Sequence, residues 1–212
     1  MNATSSTRIF LITALTATAA LAQFKAEPAG APPADVAAPF AATLQKQGTK
    51  IIDPSGKTLS EIWLVATAPN GPKSGEENVT LPNMPHGSLI GVIRFPAQYN
   101  DRRGQVVKPG IYTLRYSMFP ISGDHQGIAP QRDFAVLTRI ADDTDPKAAP
   151  KYDALMDWSR KASGTPHPLV MSIWKADDPK DDFSASGETD WVLQRKLGDV
   201  ELAIVVVGKA SA

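Results

Sequence analysis

Lys108-Pro109-Gly110-Ile111-Tyr112-Thr113-Leu114-Arg115-Tyr116-Ser117-Met118-Phe119 decides the fold class. Pro109-Gly110 is turn chemistry: proline presets φ and glycine supplies conformations closed to other residues. From Gly110 onward the side chains alternate. Tyr112, Leu114, Tyr116 and Met118 share one face, and Ile111, Thr113, Arg115 and Ser117 share the other. That period of two is the signature of a strand with one face in a core.

The same signature recurs on both sides. Upstream, Ser88–Phe95 places Leu89, Gly91, Ile93 and Phe95 on one side, and a turn through Asn100–Gly104 leads into the deciding strand. Downstream, Asp133–Ile140 returns as its partner. Lys50–Asp53 and Leu59–Ala66 flank Pro54-Ser55-Gly56-Lys57, a hairpin signal. Leu169–Lys175, Trp191–Leu197 and Glu201–Val207 finish the chain. The last is rich in β-branched residues and apolar on both faces, which predicts an interior strand. One helix is expected over Pro150–Lys161, where Tyr152, Leu155, Met156 and Ser159 follow the helical period and Gly164 ends it. These elements predict a mainly β chain: an antiparallel β-sandwich, jelly-roll or immunoglobulin-like, with one short α-helix. Tyr112, Leu114, Val136, Ile173 and Val205 are expected in one core.

The N-terminus carries an address. Arg8 precedes an uncharged apolar run, Ile9–Leu21, and Ala20-Leu21-Ala22 fits the small-x-small rule for cleavage before Gln23. Residues 1–22 are therefore expected to be a signal peptide, and the mature chain to be exported, periplasmic or secreted. Residues 23–46, dominated by Ala and Pro, are expected to be a flexible tether, leaving 47–209 as a single domain. The sequence has no cysteine, so stability must come from packing without disulfides, and neither thiol chemistry nor a lipid-anchored N-terminal cysteine is available. The 22 Lys and Arg balance the 22 Asp and Glu. No basic run exceeds Arg102-Arg103, which argues against a nucleic-acid partner. No second long apolar segment exists to span a membrane in the mature chain.

Three segments, Phe95–Asp101 (FPAQYND), Lys108–Tyr116 (KPGIYTLRY) and Gly123–Phe134 (GDHQGIAPQRDF), resemble exported bacterial β-sandwich proteins of acidobacterial type. The resemblance implies export and a sandwich fold, and it supplies no catalytic residue and no cofactor.

Chemistry-bearing residues are few. The loop from Pro120 to Arg132 is long, and Gly123, Gly127 and Pro130 frame Asp124, His125 and Gln126, a compact set of donors and acceptors. These three are the expected ligand-binding residues. The only histidines, His86, His125 and His167, lie in separate loops. An alternative reading gathers them as a metal site, in a metal-binding protein or metalloenzyme. No Gly-x-Ser-x-Gly elbow is present for a hydrolase. The acidic runs Asp142–Asp145 and Asp177–Asp182 read as solvated turns. Of the four tryptophans, Trp191 opens a strand after a polar loop and is the one expected to show exposure. The sequence thus points to a non-catalytic exported protein binding a small molecule, glycan or envelope protein at its loop end.

Overall fold

In a computed structural model, which describes residues 23–120, 131–178 and 182–209, the chain is built mainly of β-strands. In order they are β1 (Lys25–Gly30), α1 (Ala38–Ala41), β2 (Gly48–Ile52), β3 (Thr58–Leu64), β4 (Leu89–Phe95), β5 (Tyr99–Asn100), β6 (Val106–Val107), β7 (Gly110–Met118), β8 (Asp133–Arg139), α2 (Tyr152–Ser163), β9 (Leu169–Lys175), β10 (Phe183–Ser186), β11 (Asp190–Leu197) and β12 (Val200–Val207). Ten strands form one sheet in the order β1-β2-β3-β4-β7-β8-β9-β12-β11-β10, with every neighbour antiparallel, and β5–β6 form a separate two-stranded ribbon.

The sheet curls until its ends meet, nearly closing into a barrel. Arg195 on β11 donates from Nε to Thr49 Oγ1 on β2 at 3.2 Å, and the ring of Phe24, just before β1, lies 5.5 Å from that of Trp191. Trp191 is half-buried, its ring in tilted contact with Phe24 and with Phe183 of the neighbouring β10. Curling of this kind follows from the twist that every strand carries.

The deciding strand behaves as its alternation requires. Tyr112, Leu114 and Tyr116 are fully buried in the main core with Ile173, Leu193 and Ile204. The sheet's other face is buried as well: the 143–148 segment and Gly87 cover Arg115 on β7, and α2 covers β8 and β9. There Val136 packs with Phe134, Leu155, Met156 and Val170 in a second cluster, and Val205 sits in a third with Ala176, Val192 and Ala203. The expectation of one shared core is therefore corrected for Val136 and Val205. In antiparallel pairing, residues directly opposite point the same way. Val136 faces Arg115 across the β7–β8 pair, and so shares Arg115's face rather than Leu114's.

Residues 23–46 differ from the flexible tether expected of them. Lys25–Gly30 pairs with β2 as an edge strand, and Val36, Phe40 and Leu44 are buried in the main core. Proline is tolerated on an edge strand, where no ladder donor is required of it, so Pro28 is no obstacle to β1. The helix α2 ends as expected at Gly164, in the left-handed region at φ +73°. As expected, β12 lies inside the sheet, between β9 and β11. Among the described residues no helix is long and apolar enough to cross a membrane.

Candidate functional site

Antiparallel pairing sorts the connections into two ends. At one end β3, β7, β9 and β11 finish, so the segments after Leu64, Met118 and Lys175 and the β11–β12 hairpin tip, Gly198–Asp199, gather there. We call it the cleft end. At the other, the ribbon end, lie β5–β6 and the loop before β9.

This geometry tests the histidine set. His86 precedes β4 at the cleft end and His167 precedes β9 at the ribbon end. Seven-residue β9 alone separates those ends by roughly 20 Å at about 3.3 Å per residue. The expected gathering of His86, His125 and His167 on one metal is corrected by topology, since two of the three sit at opposite ends of the sheet. Among the described residues no group of three metal-ligating side chains occurs. Asp124, His125 and Gln126 lie outside the described residues. The described residues on either side, Pro120 and Gln131, stand at the cleft end.

His86 itself is committed to structure. Its Nδ1 lies 3.2 Å from Ser117 Oγ, its ring 5.9 Å from that of Tyr152, and its buried Nε2 has no hydrogen-bond partner. Burial pushes its pKa below the ordinary imidazole value, and the nearby Pro150 carbonyl opposes that shift. Ser117 is fully buried, so this Ser–His contact offers no accessible nucleophile.

The acidic run 142–145 is also more than a solvated turn. Asp143 is fully buried beside the equally buried Arg115. Its Oδ2 accepts from Arg115 Nε at 2.6 Å and Thr113 Oγ1 at 2.6 Å, and its Oδ1 from Arg115 Nη2 at 2.7 Å. The remaining guanidinium donors reach the carbonyls of Gly87, Asp145 and Ala148. Every donor is spent, which is what a buried charge requires.

A second buried carboxylate builds the cleft end. Asp133, at the start of β8, is fully buried. Its Oδ2 accepts from the backbone N–H and the hydroxyl of Thr80 at 2.7 and 2.9 Å, and its Oδ1 from Tyr116 Oη at 2.7 Å and Leu81 N at 3.3 Å. Burial, reinforced by donation to this carboxylate, pushes the Tyr116 hydroxyl far above its ordinary pKa. Thr80 Oγ1 in turn accepts from Lys175 N at 2.9 Å. A long polar loop is thereby clamped onto β8 and β9. On its other side Gly198 (φ +61°) approaches so closely that a Cβ would lie 2.5 Å from Ala68 N. Only glycine brings the hairpin tip to that wall.

Between these walls lies a cleft of about 570 Å³, with Leu81, Met84 and Val200 among its apolar lining and Asn70, Asn83, Lys175 and Asp199 among its polar lining. Its size suits a small molecule. Within the described residues, the side chains of these four polar residues make no hydrogen bond or ion pair to the protein. A cleft of similar size at the ribbon end is different. There Arg103 is bound to Asp101 and the Pro168 carbonyl, Gln105 to the His167 carbonyl and Thr165, and Ser163 to the carbonyls of Arg160 and His167. A third cleft, of about 490 Å³ at the seam between β2 and β11, also spends its polar groups internally, since Thr49 and Arg195 bond each other and Gln45 donates to the Lys196 carbonyl.

Sequence reasoning missed Asn70, Asn83, Lys175 and Asp199. The available signals were a lysine ending the apolar run LVMSIWK and a Gly-Asp hairpin tip in Leu197-Gly198-Asp199-Val200. Comparison with protein-family models, curated proteins and solved structures finds no match.

Proposed function

We propose that this is an exported, non-catalytic β-sandwich protein that binds a small polar molecule in the cleft of Asn70, Asn83, Lys175 and Asp199. One observation carries the reading: polar side chains line this cleft unspent, whereas the ribbon-end cleft has bonded most of its own. Donors and acceptors not yet used by the protein are available to a ligand, and the clamped backbone beneath them fixes where they start. Asp124, His125 and Gln126 are counted among the ligand-binding residues in this reading, because the described residues on either side, Pro120 and Gln131, stand at the cleft end. A sandwich is supported by the main core, which draws side chains from both halves of the curled sheet. Export is supported by the N-terminal sequence.

A ¹⁵N-labelled chain beginning at Gln23, screened against small polar molecules and sugars, tests the proposal. Chemical-shift changes are expected at Asn70, Asn83, Lys175 and Asp199, and His125→Ala should weaken binding with little change in Tm. Shifts gathered instead around Gln105 and His167, or a screen that leaves the cleft end unmoved, would overturn it.

A further inference from the structure

The charges of the cleft identify a ligand class, an inference that rests on reading the cleft as a binding site. Lys175 ends β9 and Asp199 stands at the β11–β12 tip, so one cation and one anion line a single cleft. They do not pair with each other or with any described residue. Their neighbours behave differently: Lys196 and Glu201, opposite each other on the same hairpin, stand 3.8 Å apart as an ion pair. Opposite charges that line one cleft without pairing can be satisfied together by a molecule bearing both complementary charges.

The rest of the lining is consistent with that molecule. The Asn70 and Asn83 amides each supply donors and an acceptor for peptide-like groups. Leu81, Met84 and Val200 offer an apolar surface to an aliphatic side chain. No aromatic residue is among the described residues lining the cleft, so it lacks the ring faces on which flat or sugar-like ligands stack. We infer that the cleft binds a zwitterionic amino acid or short peptide by its two charged ends, the carboxylate at Lys175 and the ammonium at Asp199.

Calorimetry and chemical-shift titration of the chain from Gln23 test this with L-alanine, its di- and tripeptides, their N-acetylated and methyl-ester forms, and glucose. An unblocked probe should shift Asn70, Asn83, Lys175 and Asp199, and blocking either end should weaken binding about tenfold, the scale of one charge-assisted hydrogen bond. Lys175→Met should abolish the advantage of a free carboxylate and Asp199→Asn that of a free ammonium. Both side chains are exposed, so both variants should fold with unchanged Tm. Binding of alanine itself assigns a free amino acid, and binding of the peptides alone assigns a peptide. If blocked probes or glucose bind as well as unblocked ones at these residues, the zwitterion inference falls and the binding cleft stands. If no probe shifts them, this inference falls and the broader screen decides the cleft.

Discussion

The two ends of the sheet hold clefts of nearly equal size but opposite bookkeeping of hydrogen bonds. At the ribbon end, Asp101 accepts from the backbone of Arg103 and Gln105 while pairing with the Arg103 side chain, and Arg102 pairs with Asp190 at 2.9 Å. Polar residues there hold the protein to itself. At the cleft end Asp133 takes up its bonds one layer deeper, while the side chains of Asn70, Asn83, Lys175 and Asp199 make no hydrogen bond or ion pair to the described residues. In the proposed reading, stability and binding fall to different layers. A polar residue's role follows from whether its bonds are already spent.

The comparison is broken most severely by removing a buried partner. Arg115→Ala leaves Asp143 charged and unpaired, and should cost about 3–5 kcal/mol in denaturant melts. A loss under about 1 kcal/mol would mean the pair is not sealed. Asp133→Ala, which orphans donors from Thr80, Leu81 and Tyr116, should cost about 1–3 kcal/mol and lower ligand affinity together with stability. Affinity unchanged at reduced stability would separate the clamp from the cleft. A sharper contrast comes from two exposed-end amides. Gln105→Ala should cost about 1 kcal/mol, the worth of an ordinary hydrogen bond, whereas Asn83→Ala should stay within about 0.5 kcal/mol. Equal losses would erase the distinction between the two ends.

The smallest effect is one of pH. His86 has a folded-state pKa below its unfolded value, so the fold favours the neutral ring. Its contribution is complete above the ordinary imidazole value of 6.5 and is lost as pH falls through the folded pKa. His86→Gln should flatten the dependence of Tm on pH in that acidic window. An unaltered profile would place the titration elsewhere.

Much of the fold was legible because alternation is a local signal. The strands read at Ser88–Phe95, Lys108–Phe119, Asp133–Ile140, Leu169–Lys175, Trp191–Leu197 and Glu201–Val207 are present to within a residue or two, and so is the helix before Gly164. The strands β1 and β10 were not legible, because Lys-Ala-Glu-Pro-Ala-Gly and Phe-Ser-Ala-Ser carry no β-branched residue, the first holds a proline and the second alternates over only four residues. Edge strands need little of either, since one neighbour holds them. The face of Val136 was misjudged for a related reason: the strand is apolar on both sides, so its own pattern cannot say which side meets Leu114. The cleft was least legible. Asn70, Asn83, Lys175 and Asp199 are ordinary polar residues scattered over 130 positions of sequence, and only the order of strands brings them to one end.

Arg115 has a consequence for how this chain holds itself together. Its guanidinium fastens the segments around Gly87 and around Asp143–Ala148 to the middle of β7. In a protein without cysteine, that is the work a cross-link would do, joining stretches distant in sequence at a single node. Unlike a disulfide, the node needs no oxidant and no reshuffling to form, and it cannot be cut by a thiol. Its integrity rests on charge attraction and hydrogen bonds sealed from water, so the redox poise of the surroundings leaves this node untouched.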